Sequence, residues 1–326
     1  MGHAPVRQEV LHPPMDVRQL AALVAVADHG TFSAAARALY TVQSNISGHI
    51  AKLERELHTV LVDRANSRLT EDGERVVERA RRVLRELDDI AADMASNDHD
   101  VAGDVRLGVI GTTARWLMPQ FLAAVASDHP RVHLIVSEGS TTTIVPGVLT
   151  GQLNGAVIHL PIDDPELVVE PLFAEDLFLL VRSDHELAGT TELPLRDLAK
   201  YPLLLPPKGA ALRRVLDRAA ASVDVTLRPQ AEIDGVRLLA SLAFDGYGAA
   251  IVPATAAPRR LGGDFVRIQV PELPRRVVAW VRRRRPAPSA ATAAVARILA
   301  DVVTTHASDQ PGVHLGSDAF PLQRSS

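Results

Sequence analysis

A chain of 326 residues with 47% hydrophobic and 23% charged residues has the composition of a globular protein of two or three domains. The formal net charge of −4 gives no overall attraction to nucleic acid, and the absence of cysteine excludes disulfides, thiolate nucleophiles, Cys-ligated metals and thiol-based redox sensing. No apolar run approaches the roughly 20 residues of a membrane helix, and the start lacks a signal peptide. We therefore expect a cytoplasmic protein without a membrane partner.

The first helices are predicted from local stop and start signals. Residues 1–14, with prolines and no periodicity, are expected to be a disordered extension, and either Met1 or Met15 is the natural start. An apolar period predicts a helix from Val17 to His29, which Gly30 ends. Thr31 can cap a second short helix over 34–39, and the next two residues turn the chain into a third.

The third predicted helix, 42–54, has one apolar and one polar face. Ile46, Ile50 and Leu53 share one stripe, which alone would also fit an ordinary amphipathic surface helix. Two short helices joined by a tight turn, the second with Gln and Asn side chains that can bind an adenine edge, indicate a helix-turn-helix. The candidate DNA contacts of these helices are Ser33, Gln43, Ser44, Asn45, Ser47, His49 and Lys52.

Two further features follow the third helix. Two β-like pieces within 58–70 predict a hairpin wing or a loop that only supports the helices, and in a wing Arg64 and Arg68 would contact DNA phosphates. Residues 71–94 form one long predicted helix with a heptad repeat, which favours pairing with a second copy of the chain over packing within its own domain. The predicted dimerisation residues are Val76, Ala80, Val83, Leu87, Ile90 and Met94.

The second half of the chain has a different pattern. Residues 96–100 are a polar linker, and its Asp-His-Asp sequence is more typical of solvated chain than of a metal site. From Gly103 onwards strands alternate with helices, which predicts βαβ units and parallel sheets. The pattern ends with a helix over 290–304, and residues 306–326 are expected to be a disordered tail.

Motifs along most of the chain, at matching spacing, resemble those of the LysR-type transcriptional regulators. The resemblance spans 15–302, and its motifs include Met15-Asp16-Val17-Arg18-Gln19-Leu20, the segments 30–36 and 69–73, and Gly246-Tyr247-Gly248-Ala249-Ala250-Ile251-Val252-Pro253. It implies an all-α winged helix-turn-helix domain over 15–73, a linker and dimerisation helix over 74–96, and a two-lobed α/β effector domain over 103–302 that resembles periplasmic binding proteins. Lobe I would contain 103–160 and 267–302, and lobe II would contain 161–266.

The recognition helix departs from the usual family pattern. Gly48 stands where a long polar residue is common, which weakens the helix and removes a phosphate contact. Val42 stands where a capping Ser or Thr is frequent, so that Thr41 or Ser44 would have to cap instead. We therefore expect specificity to depend on polar side chains rather than on charge.

An effector site is expected where ligands bind in α/β sheets, beyond the carboxyl ends of the strands, because helix N-termini there offer free N–H groups to anions. The contacts predicted in this way, by resemblance to the solute-binding fold, are Ile110, Thr112, Thr113, Ser140, Thr141, His159, Pro161, Pro206 and Val236. For the hydroxyl residues, simple N-capping without a ligand is the alternative. The predicted effector is a small polar or anionic metabolite.

These features predict a sequence-specific transcriptional regulator. It would form a homodimer or homotetramer on double-stranded DNA, and the small-molecule effector would modulate DNA binding or bending. RNA polymerase is a further partner that this function allows, and no metal or cofactor is expected. The alternative is a solute-binding protein or a small-molecule enzyme built on the α/β half, although the sequence contains no nucleophile elbow, P-loop, HExxH motif or dinucleotide fingerprint.

Overall fold

The computed structural model describes residues 15–95, 101–257 and 264–316. These residues divide into two compact units, the first ending at Ala91 and the second starting at Ala92. The predicted N-terminal extension and polar linker lie outside the described residues. Within the described ranges, no helix has the length and apolarity to cross a membrane.

The described residues of the first unit form three helices, a two-stranded hairpin and most of a fourth helix, which continues four residues past Ala91. They are α1 (Val17–His29), α2 (Phe32–Ala38), α3 (Gln43–Leu57), β1 (Val62–Asp63), β2 (Arg68–Leu69) and α4 (Glu71–Ala95). Asp16 and Gln19 form a reciprocal capping box at the start of α1, and Gly30 ends the helix with a φ of 74°. The predicted stripe of Ile46, Ile50 and Leu53 is fully buried, which confirms that α3 packs with one face inward.

The beginning of α3 differs from the expectation. Val42 is the N-cap residue and no side chain caps the helix, so the prediction that Thr41 or Ser44 would do so is wrong. The Oγ1 atom of Thr41 instead accepts a hydrogen bond of 2.9 Å from the side-chain amide of Asn45. The first N–H groups of α3 therefore have no side-chain partner within the helix.

The predicted wing is a true hairpin. β1 and β2 pair antiparallel, with Val62 opposite Leu69 and Asp63 opposite Arg68. At the turn, the Asp63 carboxylate accepts hydrogen bonds from the Ala65 backbone at 2.9 Å and from the Asn66 amide at 2.8 Å. These bonds shape the short turn between the strands.

The apolar stripe of α4 has two environments. Ala80 is buried and Val76 is partly buried against the core of the first unit, so the structure corrects their assignment as dimerisation residues. The physical reason is that the first turns of α4 close the helix-turn-helix core, where Val77 is also buried. The remaining predicted residues are exposed, namely Val83, Leu87, Ile90 and Met94.

The second unit is an α/β structure with two sheets. Its helices and strands in chain order are β3 (Ala102–Ile110), α5 (Gly111–Asp128), β4 (Arg131–Gly139), α6 (Thr141–Leu149), β5 (Gly155–His159), β6 (Leu167–Glu175), β7 (Leu177–Arg182), α7 (Leu195–Leu198), β8 (Pro202–Leu205), α8 (Ala211–Ser222), β9 (Arg228–Glu232), α9 (Val236–Phe244), β10 (Ala249–Pro253), β11 (Phe265–Gln269), β12 (Arg276–Arg283), α10 (Ala290–His306) and β13 (Val313–His314). The sheet of lobe I has the order β13-β6-β12-β5-β3-β4, and the sheet of lobe II has the order β11-β7-β10-β8-β9. The predicted two-lobed α/β architecture is confirmed.

The boundary between the lobes lies elsewhere than predicted. β6, which the sequence pattern did not reveal, pairs with β12 in lobe I, and β11 pairs with β7 in lobe II. The chain therefore crosses to lobe II after Glu175 and returns before Arg276, rather than near 161 and 266. β6 gives no clear alternation because Pro171 and exposed residues interrupt it, and the pairing with β12 shifts register beside Pro171.

The predicted disordered tail is ordered as far as residue 316. α10 continues to His306, and after a short 3-10 turn β13 pairs with β6. The side chain of Gln310 is buried and donates hydrogen bonds to the carbonyl oxygens of Ala254 at 2.8 Å and Ala257 at 3.2 Å. These long-range bonds order a segment that has no local pattern. Residues 317–326 lie outside the described part of the chain.

Candidate DNA-binding and effector-binding sites

The outer face of α3 carries the predicted DNA-binding residues. Gln43, Ser44 and Asn45 are exposed on its first turn, and Ser47 and His49 are partly exposed further along. Lys52 is exposed too, and its Nζ atom lies 3.9 Å from Asp16 Oδ2 and 3.8 Å from Glu56 Oε1. On α2, Ser33 is likewise exposed. These polar side chains are therefore accessible from solvent, and the first-turn N–H groups of α3 lie beside them.

The two wing arginines have different surroundings. Arg64 donates a hydrogen bond of 3.0 Å from Nη1 to Ser47 Oγ and another of 3.0 Å from Nη2 to Glu54 Oε2. Arg68 is exposed, and its side chain has no partner among the residues that the structure describes. Of the two arginines predicted to contact DNA phosphates, only Arg68 has a side chain that is not held by a described residue.

The candidate effector site is a cavity of about 570 Å³ between the lobes of the second unit. Its wall includes the carboxyl ends of β3, β4 and β5 and the loops that follow β8 and β9, as expected for parallel strands. The cavity brings together most of the predicted residues, namely Ile110, Thr112, Ser140, Thr141, His159, Pro206 and Val236. Thr113 and Pro161 do not line it: Thr113 is fully buried within lobe I, and Pro161 is exposed.

Four helices begin at the cavity. α5, α8 and α9 have no side-chain cap at their N-cap residues, which are Ile110, Ala210 and Gly235. α6 differs, because Ser140 and Thr143 form a capping box. The first N–H groups of the uncapped helices retain hydrogen-bonding capacity towards the cavity, and each helix terminus adds a partial positive charge.

A buried ion pair adjoins these helix ends. Arg276, at the start of β12, donates hydrogen bonds to Glu175 Oε1 from Nε at 2.9 Å and from Nη2 at 2.6 Å. Nη2 also donates to Thr112 Oγ1 at 2.8 Å, and the backbone and hydroxyl groups of Thr255 donate to Glu175 Oε2. Since the Thr112 oxygen accepts from Arg276, its own proton is available to a ligand. Arg276 is not among the site residues predicted from the sequence, because no local pattern links it to a residue 164 positions earlier.

His159 is a neutral group on the cavity wall. Burial, assisted by the positive charge of Arg276, lowers the pKa of His159 from 6.5 to about 4, against a backbone hydrogen bond at Leu160 that raises it. The imidazole is therefore uncharged near pH 7, with one nitrogen as donor and the other as acceptor. It can orient a polar ligand without adding a positive charge.

One further ion pair crosses the cavity, between Glu138 at the end of β4 and Arg237 in the first turn of α9. Both side chains are about half exposed, and they cover the start of α5, where a Cβ atom on Gly111 would lie 2.5 Å from Glu138 Oε1. No sequence pattern indicates this pair either, because its partners are 99 positions apart.

Comparisons with known proteins identify the family. Residues 17–74 match the bacterial regulatory helix-turn-helix proteins of the lysR family, and residues 98–303 match the LysR substrate binding domain. The chain belongs to the LysR family. The resemblance noted from the sequence motifs is thereby confirmed, and this LysR-type protein is a DNA-binding transcriptional regulator rather than an enzyme.

Several curated relatives are 30–34% identical to this regulator over the aligned part of their sequences. A probable hydrogen peroxide-inducible genes activator of Streptomyces viridosporus is 34% identical over 73% of this chain and 77% of the relative. The DNA-binding transcriptional dual regulator OxyR of Escherichia coli strain K12 is 30% identical over 82% of this chain and 90% of OxyR. Both likenesses therefore include most of each protein.

Solved structures share its fold. A variant of full-length OxyR from Pseudomonas aeruginosa superposes with a TM-score of 0.70 at 23% identity, covering 94% of this chain and all of that one. Full-length CbnR, solved in complex with its target DNA, superposes with a TM-score of 0.65 at 24% identity, covering 89% and 99%. These likenesses show that the fold is shared along nearly the whole of each chain.

Proposed function

We propose that this LysR-type regulator binds a small polar or anionic effector in the cavity of its α/β domain, and that the effector modulates DNA binding or bending. The main support for this proposal is the composition of the cavity wall. It combines the uncapped starts of α5, α8 and α9 with the buried guanidinium of Arg276. Helix N-termini and arginine are the groups that proteins use to bind carboxylates and phosphates.

The charges around the cavity favour a ligand with few negative charges. The carboxylates of Glu138 and Glu175 already neutralise Arg237 and Arg276, and Asp234 lines the cavity at an exposed position. His159 is neutral near pH 7 because burial lowers its pKa. A small monoanion with hydroxyl groups would use the helix N–H groups, Thr112 and His159 without bringing several like charges together.

The effector signal of this chain does not follow from the names of its relatives. The Streptomyces viridosporus relative is called a probable hydrogen peroxide-inducible genes activator, but this sequence contains no cysteine, and reversible thiol oxidation requires a thiolate. A bound ligand is the signal that fits the cavity. Treatment with hydrogen peroxide is therefore expected to leave operator binding unchanged.

Thr112 provides the test of the effector site. Footprints of the purified protein on the DNA upstream of its own gene, with and without a panel of small carboxylic acids, would identify an acid that alters the footprint. Thr112→Val is expected to abolish that response, because a methyl group replaces the hydroxyl, and to retain ligand-free DNA binding, because Thr112 lies in the effector domain and not in the helix-turn-helix. Thr112→Ser, which keeps the hydroxyl, is the matched control and should respond. An equal response in the valine variant would refute the assignment.

DNA recognition is assigned to the exposed face of α3, with Gln43, Ser44, Asn45 and Ser47 as base-contacting candidates. The amide of Asn45 donates one hydrogen bond to Thr41, which leaves its oxygen and one N–H group for an adenine edge. Asn45→Ala should lower the free-energy preference for operator over scrambled DNA by about 1–3 kcal/mol. Thr41→Val keeps the amide and is the control. Unchanged discrimination by the alanine variant would remove Asn45 from the interface.

The exposed part of α4 supports a homodimer or a dimer of dimers. Val83, Leu87, Ile90 and Met94 follow one another at heptad spacing, and all four are exposed in the single chain. Such a narrow apolar stripe is typical of a coiled-coil contact. In a dimer, two recognition helices would reach successive major grooves of an interrupted palindrome, and RNA polymerase would be a further partner if the protein activates transcription.

A further inference from the structure

We propose that Glu54 and Arg64 are positioning residues of the DNA-binding domain. They hold the wing against the recognition helix and fix the hydroxyl group of Ser47, and Arg64 does not act as a phosphate contact. This inference rests on the proposed role of α3 in DNA recognition and reassigns one of its expected contacts.

Glu54 connects the last turn of α3 to the first strand of the wing. Its Oε1 atom accepts hydrogen bonds from the backbone N–H groups of Leu61 at 2.9 Å and Val62 at 3.2 Å. Only 13% of its side chain is exposed, so the carboxylate is largely withdrawn from solvent. A carboxylate that receives two backbone N–H bonds on one oxygen sets the position of β1 relative to α3.

Arg64 completes the connection from the other side. Its Nη2 atom donates to Glu54 Oε2 and its Nη1 atom donates to Ser47 Oγ, both at 3.0 Å. The guanidinium also lies 5.9 Å from the ring centroid of Phe32 on α2. The planar arginine side chain thus binds two positions of α3 that are seven residues apart, which a flexible lysine would not reproduce.

Ser47 is the residue through which this arrangement would affect recognition. Its oxygen accepts the hydrogen bond from Arg64, so its own O–H group is directed to act as a donor. In the major groove, a donor complements an acceptor such as guanine N7 or O6, adenine N7 or thymine O4. Arg64 would therefore influence which base Ser47 recognises, although Arg64 itself does not contact that base.

Arg68 is the natural comparison within the same hairpin. It lies on β2, it is exposed, and no described residue binds its side chain. An arginine in that situation can approach a phosphate, releases counterions on binding, and contributes about 0.9 to the slope of log K against log salt concentration. An arginine that only positions other groups contributes to affinity but not to that slope.

The test uses the full-length protein and the duplex that the wild type selects from a random DNA library. Dissociation constants for that duplex and a scrambled one are measured at several salt concentrations for Glu54→Gln, Arg64→Gln, the double variant, Arg64→Lys and Arg68→Gln. Circular dichroism and thermal unfolding check that each variant is folded. If the wild type selects no sequence, the proposed DNA-recognition function fails, which is a separate result from failure of the positioning role.

We expect Glu54→Gln and Arg64→Gln each to weaken selected-duplex binding about ten-fold, the size associated with hydrogen bonds to charged groups, with the salt slope unchanged. The double variant should be no weaker than either single variant, because both remove one arrangement. Arg64→Lys should lose affinity like Arg64→Gln, although it keeps the charge. Arg68→Gln should instead reduce the salt slope by about 0.9.

Three results would overturn the positioning role. The first is a lower salt slope in Arg64→Gln with wild-type affinity in Glu54→Gln. The second is a fully additive double variant. The third is wild-type affinity and discrimination in Arg64→Lys, since a lysine can replace a phosphate contact but not the bridge between Ser47 and Glu54. If Glu54→Gln is unfolded, Arg64→Gln and Arg64→Lys decide the question by themselves.

Discussion

His159 lines the candidate effector cavity as a neutral imidazole, so acid should destabilise the effector domain through this residue. Burial, and secondarily the charge of Arg276, lower the pKa of His159 to about 4, whereas 6.5 applies to the unfolded chain. Because the folded pKa is the lower one, its stabilising contribution is complete above pH 6.5 and is lost as the pH falls from 6.5 towards 4.

The expected size follows from these two pKa values. At pH 5 the unfolded chain binds nearly one proton at this position and the folded chain binds almost none, which costs about 2 kcal/mol of unfolding free energy. His159→Gln removes the titrating group. Between pH 7.5 and pH 5, the wild type should therefore lose about 2 kcal/mol more than this variant.

Urea unfolding at pH 7.5, 6 and 5, followed by tryptophan fluorescence, would measure the difference. Both tryptophans, Trp116 and Trp280, belong to lobe I, so their fluorescence reports on the domain that contains His159. His133→Gln, at an exposed position on β4, is the matched histidine control. Parallel losses of stability in the wild type and His159→Gln, within about 0.5 kcal/mol, would refute the neutral, desolvated state of His159.

Two further predictions concern a buried charge and a surface contact. Arg276→Met should lower the unfolding free energy of the effector domain by about 3–5 kcal/mol in calorimetry, because Glu175 remains buried without its cation. The double variant Glu175→Gln/Arg276→Met should recover most of this loss. If Arg276→Met were as stable as the wild type, the ion pair would not be needed to compensate the buried carboxylate. Leu87→Arg should convert the proposed dimer to monomers in analytical ultracentrifugation while changing the unfolding free energy of the monomer by no more than about 0.5 kcal/mol, since the side chain is 41% exposed in the single chain. A dimer that persists in this variant would exclude α4 as the contact.

The sequence could predict features that depend on local pattern. The stripe of Ile46, Ile50 and Leu53, the end of α1 at Gly30, the cap of α2 at Thr31, and the alternation of strands with helices each involve neighbours within a few turns of chain. Side-chain period fixes which face is buried, and parallel strands direct their carboxyl ends to one edge. For that reason the helix-turn-helix follows from local pattern, whereas most of the cavity residues followed from the rule for strand ends together with the family resemblance.

Tertiary structure decided what depends on residues far apart in the chain. The register of β6 beside β12 set the boundary between the lobes, and the bonds of Arg276 to Thr112 and Glu175 span 164 and 101 positions. Ordering of the tail depends in the same way on Gln310. No local period encodes such pairings, because they form only when separate segments pack together and leave buried polar groups that must find partners. Sequence determined which faces of the chain are buried, and the fold determined which polar groups meet between them.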